Sequence, residues 1–137
     1  MFNDVLAAIK TAFDADTTLS AAATGGFHLA YAPEDADAPF VVATWVADDM
    51  NYAMGTAEYH EAMLQFSVYS ADESPSEAMS VFDALVSCFD EASLTITGHS
   101  CVRMWRVANR LLPEPGAETG IGGWQAQADY MLWFDAT

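Results

Sequence analysis

A chain of 137 residues with 53% apolar side chains is long enough for one hydrophobic core and too apolar for disorder. Twenty acidic side chains stand against four basic ones, a formal charge of -16 that excludes sequence-general binding to nucleic acid, which runs on phosphate neutralisation by Lys and Arg. The apolar share also exceeds what one small core needs, so self-association is expected.

The N-terminal stretch places Phe2, Val5, Leu6, Ile9 and Phe13 at helical spacing, which predicts an amphipathic helix. Asp4 stands early, no basic region precedes the apolar residues, and no run reaches the eighteen or so residues of a membrane span. The N-terminus therefore reads as a helix of the fold, with no membrane contact expected. Asp16 or Thr17 is placed to cap a short helical turn that Gly25 and Gly26 stop. "FHLAYA" predicts a short strand and "PEDADAP" an acidic turn.

"FVVATWVA" is β-prone, and "HEAMLQFSVYS" reads as the returning strand, with Leu64, Phe66 and Val68 on one face. Between them "DDMNYAMGTAEY" reads as a long hairpin connection. Met50, Tyr52 and Met54 in such a connection suit a partner-docking loop, since adaptable apolar side chains there fit a partner's surface. The competing reading folds them back onto the chain's own core.

Ser74 to Glu77 matches a capping box, with Pro75 at the first helical position. The helix that follows shows an apolar stripe of Ala78, Val81, Phe82, Leu85, Val86 and Phe89. "SLTIT" predicts a brief strand, "SCVRMWRVANRLL" a long one, and "WQAQADYMLWF" the last. In the last strand Trp124, Ala126, Ala128, Tyr130, Leu132 and Phe134 share a face. The other face begins polar and ends in Met131 and Trp133, which predicts cover on both sides. The expected fold is a single α+β domain over residues 1–137: a mainly antiparallel β-sheet with an N-terminal helix and a central amphipathic helix packed on one face.

Catalytic and metal-binding patterns fail on spacing. Cys88, His99 and Cys101 lack a fourth zinc ligand, and "GHSC" lacks the second glycine of a nucleophile elbow. "GIGG" has no following Lys-Ser/Thr, and carboxylates are too abundant for any pair to be informative. No enzyme activity, cofactor or metal is expected.

The order of features resembles the tail-completion, or tail-terminator, proteins of long-tailed bacteriophages and related prophage particles. "IKTAFDADTTLSAAATGG" is similar to the family's opening helix and Asp-initiated turn. "YAPEDADAPFVV" resembles its Ala-Pro step and Pro-aromatic-Val-Val strand, and "FSVYSADESPSEAMSVFDAL" its strand before a capped helix. An Arg-containing strand, a Gly/Pro loop and an aromatic-rich strand close the chain. The resemblance covers nearly the whole chain and implies a non-enzymatic virion component of the tail or neck, assembled in the host cytoplasm. It implies a homo-oligomeric ring, usually a hexamer, that caps the tail tube protein and docks the head connector, with DNA only in passage through the channel. A second reading from the residues alone is a small oligomeric α+β module that binds or regulates through a ligand. A third, a metal-dependent hydrolase, rests on the carboxylates alone.

Three of the four basic residues, Arg103, Arg106 and Arg110, fall in "VRMWRVANR". Subunits this acidic repel one another in a ring, and Arg offsets that by bidentate pairing with carboxylates. Strict strand alternation puts Arg106 and Arg110 on one face and Arg103 on the other. The expectation is that Arg106, Arg110, Met131 and Trp133 belong to a subunit interface, while Arg103 pairs within its own subunit.

Overall fold

The structure, a computed structural model, describes residues 2–29, 38–52, 58–72, 74–90, 94–96, 98, 103–113 and 123–135. The elements run α1 (Phe2–Ala15), α2 (Thr17–Ala22), β1 (Phe27–Leu29), β2 (Phe40–Tyr52), β3 (Glu58–Ser70), α3 (Ser76–Phe89), β4 (Arg103–Pro113) and β5 (Trp124–Asp135). The strands form one sheet in the order β1-β2-β3-β5-β4, antiparallel throughout except for β1 against β2. This is the expected α+β class, with the helices on one face.

The helical periodicity holds. Val5, Leu6, Ile9 and Phe13 of α1 are buried, as are Ala78, Val81, Phe82, Leu85 and Phe89 of α3. Asp16 caps α2, its Oδ1 accepting from the Leu19 amide at 2.9 Å. Ser20 Oγ donates to the Phe13 carbonyl at 2.8 Å, which also accepts from the Asp16 amide at 3.2 Å, so α2 is tied to the end of α1.

The helices cover the face formed by Leu64, Phe66 and Val68 of β3 and by Ala126, Ala128, Tyr130, Leu132 and Phe134 of β5, all buried. Phe66 is the centre of this core. It stacks on Phe89 with centroids 4.7 Å apart and meets Tyr130 edge-on at 5.5 Å. The Tyr130 hydroxyl donates to Asp90 Oδ1 at 2.6 Å, which ties β5 to the C-terminal end of α3. Burial raises the Tyr130 phenol above its ordinary value, and the bond to Asp90 adds to the rise.

Four local expectations are corrected. The capping box is not made: Ser74 Oγ accepts from the Ser76 amide at 3.2 Å, and Glu77 turns instead to accept from Ser70 Oγ at 2.8 Å. Pro75 holds the N-cap position, where no side chain can cap, so Glu77 is left to tie the helix start to the end of β3. Leu94 and Ile96 are buried without belonging to a strand, because their side chains fill the core while no described strand lies beside them. Most of the expected long hairpin connection is strand instead, because β2 and β3 stay paired out to Tyr52 opposite Glu58. Met50 and Tyr52 thus sit on β2, opposite His60 and Glu58, while Met54 lies outside the described residues. The fourth correction concerns the arginines and follows below.

Gly123 enters β5 against the backbone of Ser70, and a Cβ added there would collide with the Ser70 carbonyl and the Ala71 Cα. Backbone cannot swing aside as a side chain can. Gly123→Ala is expected to cost ~1–3 kcal/mol of unfolding free energy, read by urea denaturation. A wild-type midpoint would show that the strand start shifts freely.

Candidate functional site

β4 is an edge strand, and its register contains a bulge between Arg106 and Ala108. A bulge inserts one residue and reverses the side-chain phase beyond it. Before it, Arg103 opposes Trp133 and Trp105 opposes Met131, on the sheet face away from the helices. Arg106 opposes Tyr130, on the helix-covered face. After the bulge Ala108 opposes Asp129 and Arg110 opposes Gln127, back on the open face. The expectation that Arg106 and Arg110 share a face is therefore wrong. Arg103 and Arg110 share the open face, and Arg106 lies on the other.

The contacts follow the faces. Arg106 Nη2 lies 3.3 Å from Asp90 Oδ2, and its guanidinium sits 6.0 Å from the Phe82 ring centroid. Asp90 thus holds Tyr130 and Arg106 together at the end of α3. Arg110 donates from Nη1 to Gln127 Oε1 at 2.9 Å and from Nη2 to Asp129 Oδ2 at 3.1 Å. Gln65 Nε2 reaches the other Asp129 oxygen at 3.1 Å, so this carboxylate is bound from both neighbouring strands. Arg103 lies over Trp105, 5.2 Å from its ring centroid, a cation–π contact within the chain.

The open face divides into two parts. Toward Phe40 it is polar and internally bonded, through Gln65, Asp129, Arg110 and Gln127 and through Gln125 Nε2 donating to the Tyr69 hydroxyl at 3.1 Å. Toward the other end lie Trp105 and Trp133, with centroids 5.2 Å apart at 87°, alongside Met131 and Met63, which oppose each other. Trp133 is 37% exposed there, and no described element covers it. Sequence reasoning found Met131 and Trp133. It missed Trp105 and Met63, although both follow from pairing once the neighbouring strands are known.

The histidines and cysteines do not converge among the described residues. His28 Nε2 donates to the Gly25 carbonyl at 3.0 Å, and Cys88 Sγ donates to the Ala12 carbonyl at 3.7 Å. His99 and Cys101 lie outside the described residues. Burial pushes the Cys88 thiol up to about 12, with the Asp16 carboxylate the next cause. Clefts of about 390 and 450 Å³ flank the helices, the first lined by Asp4, Thr11 and Leu94 among others, the second by Asp16, Thr18 and Asp83. Neither contains a histidine or cysteine. Among the described residues no group of three His, Cys, Asp or Glu side chains is placed to hold a metal ion.

Comparison with known proteins places this geometry. No curated protein matches the sequence. Among solved structures, a chain of the "Virion of native gene transfer agent (GTA) particle" is similar in fold, with a TM-score of 0.65 and 16% identity, over 94% of this chain and 91% of that one. The model of the family "Tail completion protein gp17" matches residues 7–134, from within α1 through every later element but the last residue of β5. The chain belongs to the tail completion protein gp17 family and is a structural phage tail protein.

Proposed function

We propose that the protein closes into a ring, of six copies, on the end of the polymerised tail tube. The ring stops tube growth and presents its free side to the head connector, so that it sits in the neck of the virion. DNA passes through the centre. The observation that carries this reading is the exposed Trp133, flanked by partly buried Trp105, Met131 and Met63, on a sheet whose opposite face is already filled by helices. A monomer that leaves such a surface to water calls for a protein neighbour. Membership of a phage tail family supports another virion protein, or a second copy of this chain, as that neighbour.

Within the ring, Arg110, Met131 and Trp133 belong to the contacts between subunits on the open face. Arg106, on the other face of the same edge strand, contributes from the edge. Met50 and Tyr52, toward the C-terminal end of β2, and Met54, outside the described residues, meet the tube or the connector. The charge of -16 per copy suits a channel that lets DNA pass without gripping it.

Growing tubes supplied with the purified protein should stop at a shorter length, with a ring of added density at one end in electron micrographs. Tubes that grow on unaltered, with bare ends, would overturn the reading.

A further inference from the structure

The sheet has two unlike edges. β4 is the edge strand on one side, with no strand beyond it among the described residues. On the other side β1 covers β2 only from Val41 to Ala43, so the outer edge of β2 from Thr44 to Tyr52 has no described strand along it. The β4 edge carries Arg103, Arg106 and Arg110, while the uncovered half of β2 carries Asp48 and Asp49. An edge of eleven residues with Leu111 and Leu112 exposed is a template for pairing with another chain.

The register adds a geometric match. One row runs straight across the sheet: Asp49 opposite Glu61, Glu61 opposite Trp133, Trp133 opposite Arg103. The acidic and basic ends of this row lie at one height. Three successive antiparallel pairings also make β2 and β4 run in opposite directions. A rotation about an axis along the strands keeps every row at its height and every strand's direction. It therefore brings β4 of one copy antiparallel to β2 of the next, with Arg103 level with Asp49. Such a contact is heterologous, one patch against a different one, as a closed ring requires.

We infer that the β4 edge of one copy pairs with the edge of β2 that no described strand covers in the next copy, and that Arg103 meets the neighbour's Asp49. This rests on the ring reading above and adds an edge-to-edge contact to the open-face contacts named there. The exposed edge belongs to a second copy of this chain and not to another class of partner.

Native mass spectrometry and sedimentation from micromolar to millimolar concentration, alone and with polymerised tail tubes, test it. The wild-type chain should assemble. Arg103→Glu and Asp49→Arg should each weaken association about tenfold or more, and the two together should recover it to within a few fold. Lys10→Glu makes the same change of charge on α1 and should leave assembly as it is. Circular dichroism checks that each variant folds, and amide exchange of wild-type β4 should slow on assembly whether or not they do. If the wild type assembles while both single variants assemble as tightly, or β4 amides exchange unchanged, the inference is overturned and the ring stands. Weakened single variants without recovery in the pair overturn the contact of Arg103 with Asp49. A wild-type chain that stays monomeric even with tail tubes overturns the ring, and the inference with it.

Discussion

Phe66→Ala should lower the unfolding free energy by ~3–5 kcal/mol. Phe66 is fully buried, and three elements meet on its ring: Phe89 from α3 stacked at 4.7 Å, Tyr130 from β5 edge-on at 5.5 Å, and Phe27 from β1 tilted at 6.4 Å. Truncation removes the transfer free energy of the ring and leaves a cavity between a sheet and a helix that cannot both move inward. Aromatic pairs of this kind add ~0.5–1.5 kcal/mol each beyond the area they bury. Against a total stability of ~5–15 kcal/mol for such a domain, the loss leaves a chain that unfolds at low urea concentration. Urea denaturation followed by tryptophan fluorescence measures it. A cost under ~1.5 kcal/mol would mean that the β3–α3 layer collapses around the gap.

Cys88 should react with disulfide reagents at least about tenfold more slowly than an ordinary thiol at pH 8, because the thiolate is the nucleophile and its scarcity outweighs its higher basicity. Its thiol stands at about 12 in the fold against an ordinary 9.0, through burial first and the Asp16 carboxylate second. With Cys101 replaced by Ser, a single thiol remains, and its rate is read directly. Reaction at the rate of a free thiol would show that the α1–α3 seam opens easily. The same shift makes stability depend on pH. The folded chain holds this proton more tightly than the unfolded one, so the contribution is complete below pH 9.0 and is lost as pH rises from 9.0 toward about 12. Tyr130, also raised, adds a loss of the same sign above its ordinary 10.0. The urea midpoint should therefore fall between pH 8 and pH 10.5, and Cys88→Ala with Tyr130→Phe should flatten that fall.

Charge, for its part, decides little about the fold and much about partners. The arginines are spent locally on Asp90, Asp129 and the Trp105 face, in pairs partly open to solvent and each worth roughly 0–1 kcal/mol. Their placement on one edge matters more, since it makes one side of the sheet basic in a chain that is acidic elsewhere.

The sequence by itself determined the buried faces. The 3.6-residue stripes of α1 and α3 and the alternation in β3 and β5 required a two-layer α+β core, because those residues have only one way to leave water together. Asp16 as a cap was equally local, being a bond between residues three apart. Met131 and Trp133 stood out because alternation put them opposite the buried residues of the same strand. Tertiary structure alone decided the rest. The β2–β3 pair extends through Met50 and Tyr52 because strand length is set by what lies opposite. Glu77 left its capping position for Ser70, a residue on another element. Above all, nothing in "VRMWRVANR" marks Val107 as the extra residue, for it carries neither glycine nor proline. The bulge exists because Arg106 pairs with Tyr130 and Ala108 with Asp129, and those partners lie on a different strand. One inserted residue moved Arg110 to the open face beside Arg103 and left Arg106 against Asp90, since side-chain direction in a strand depends on pairing and cannot be counted along the chain.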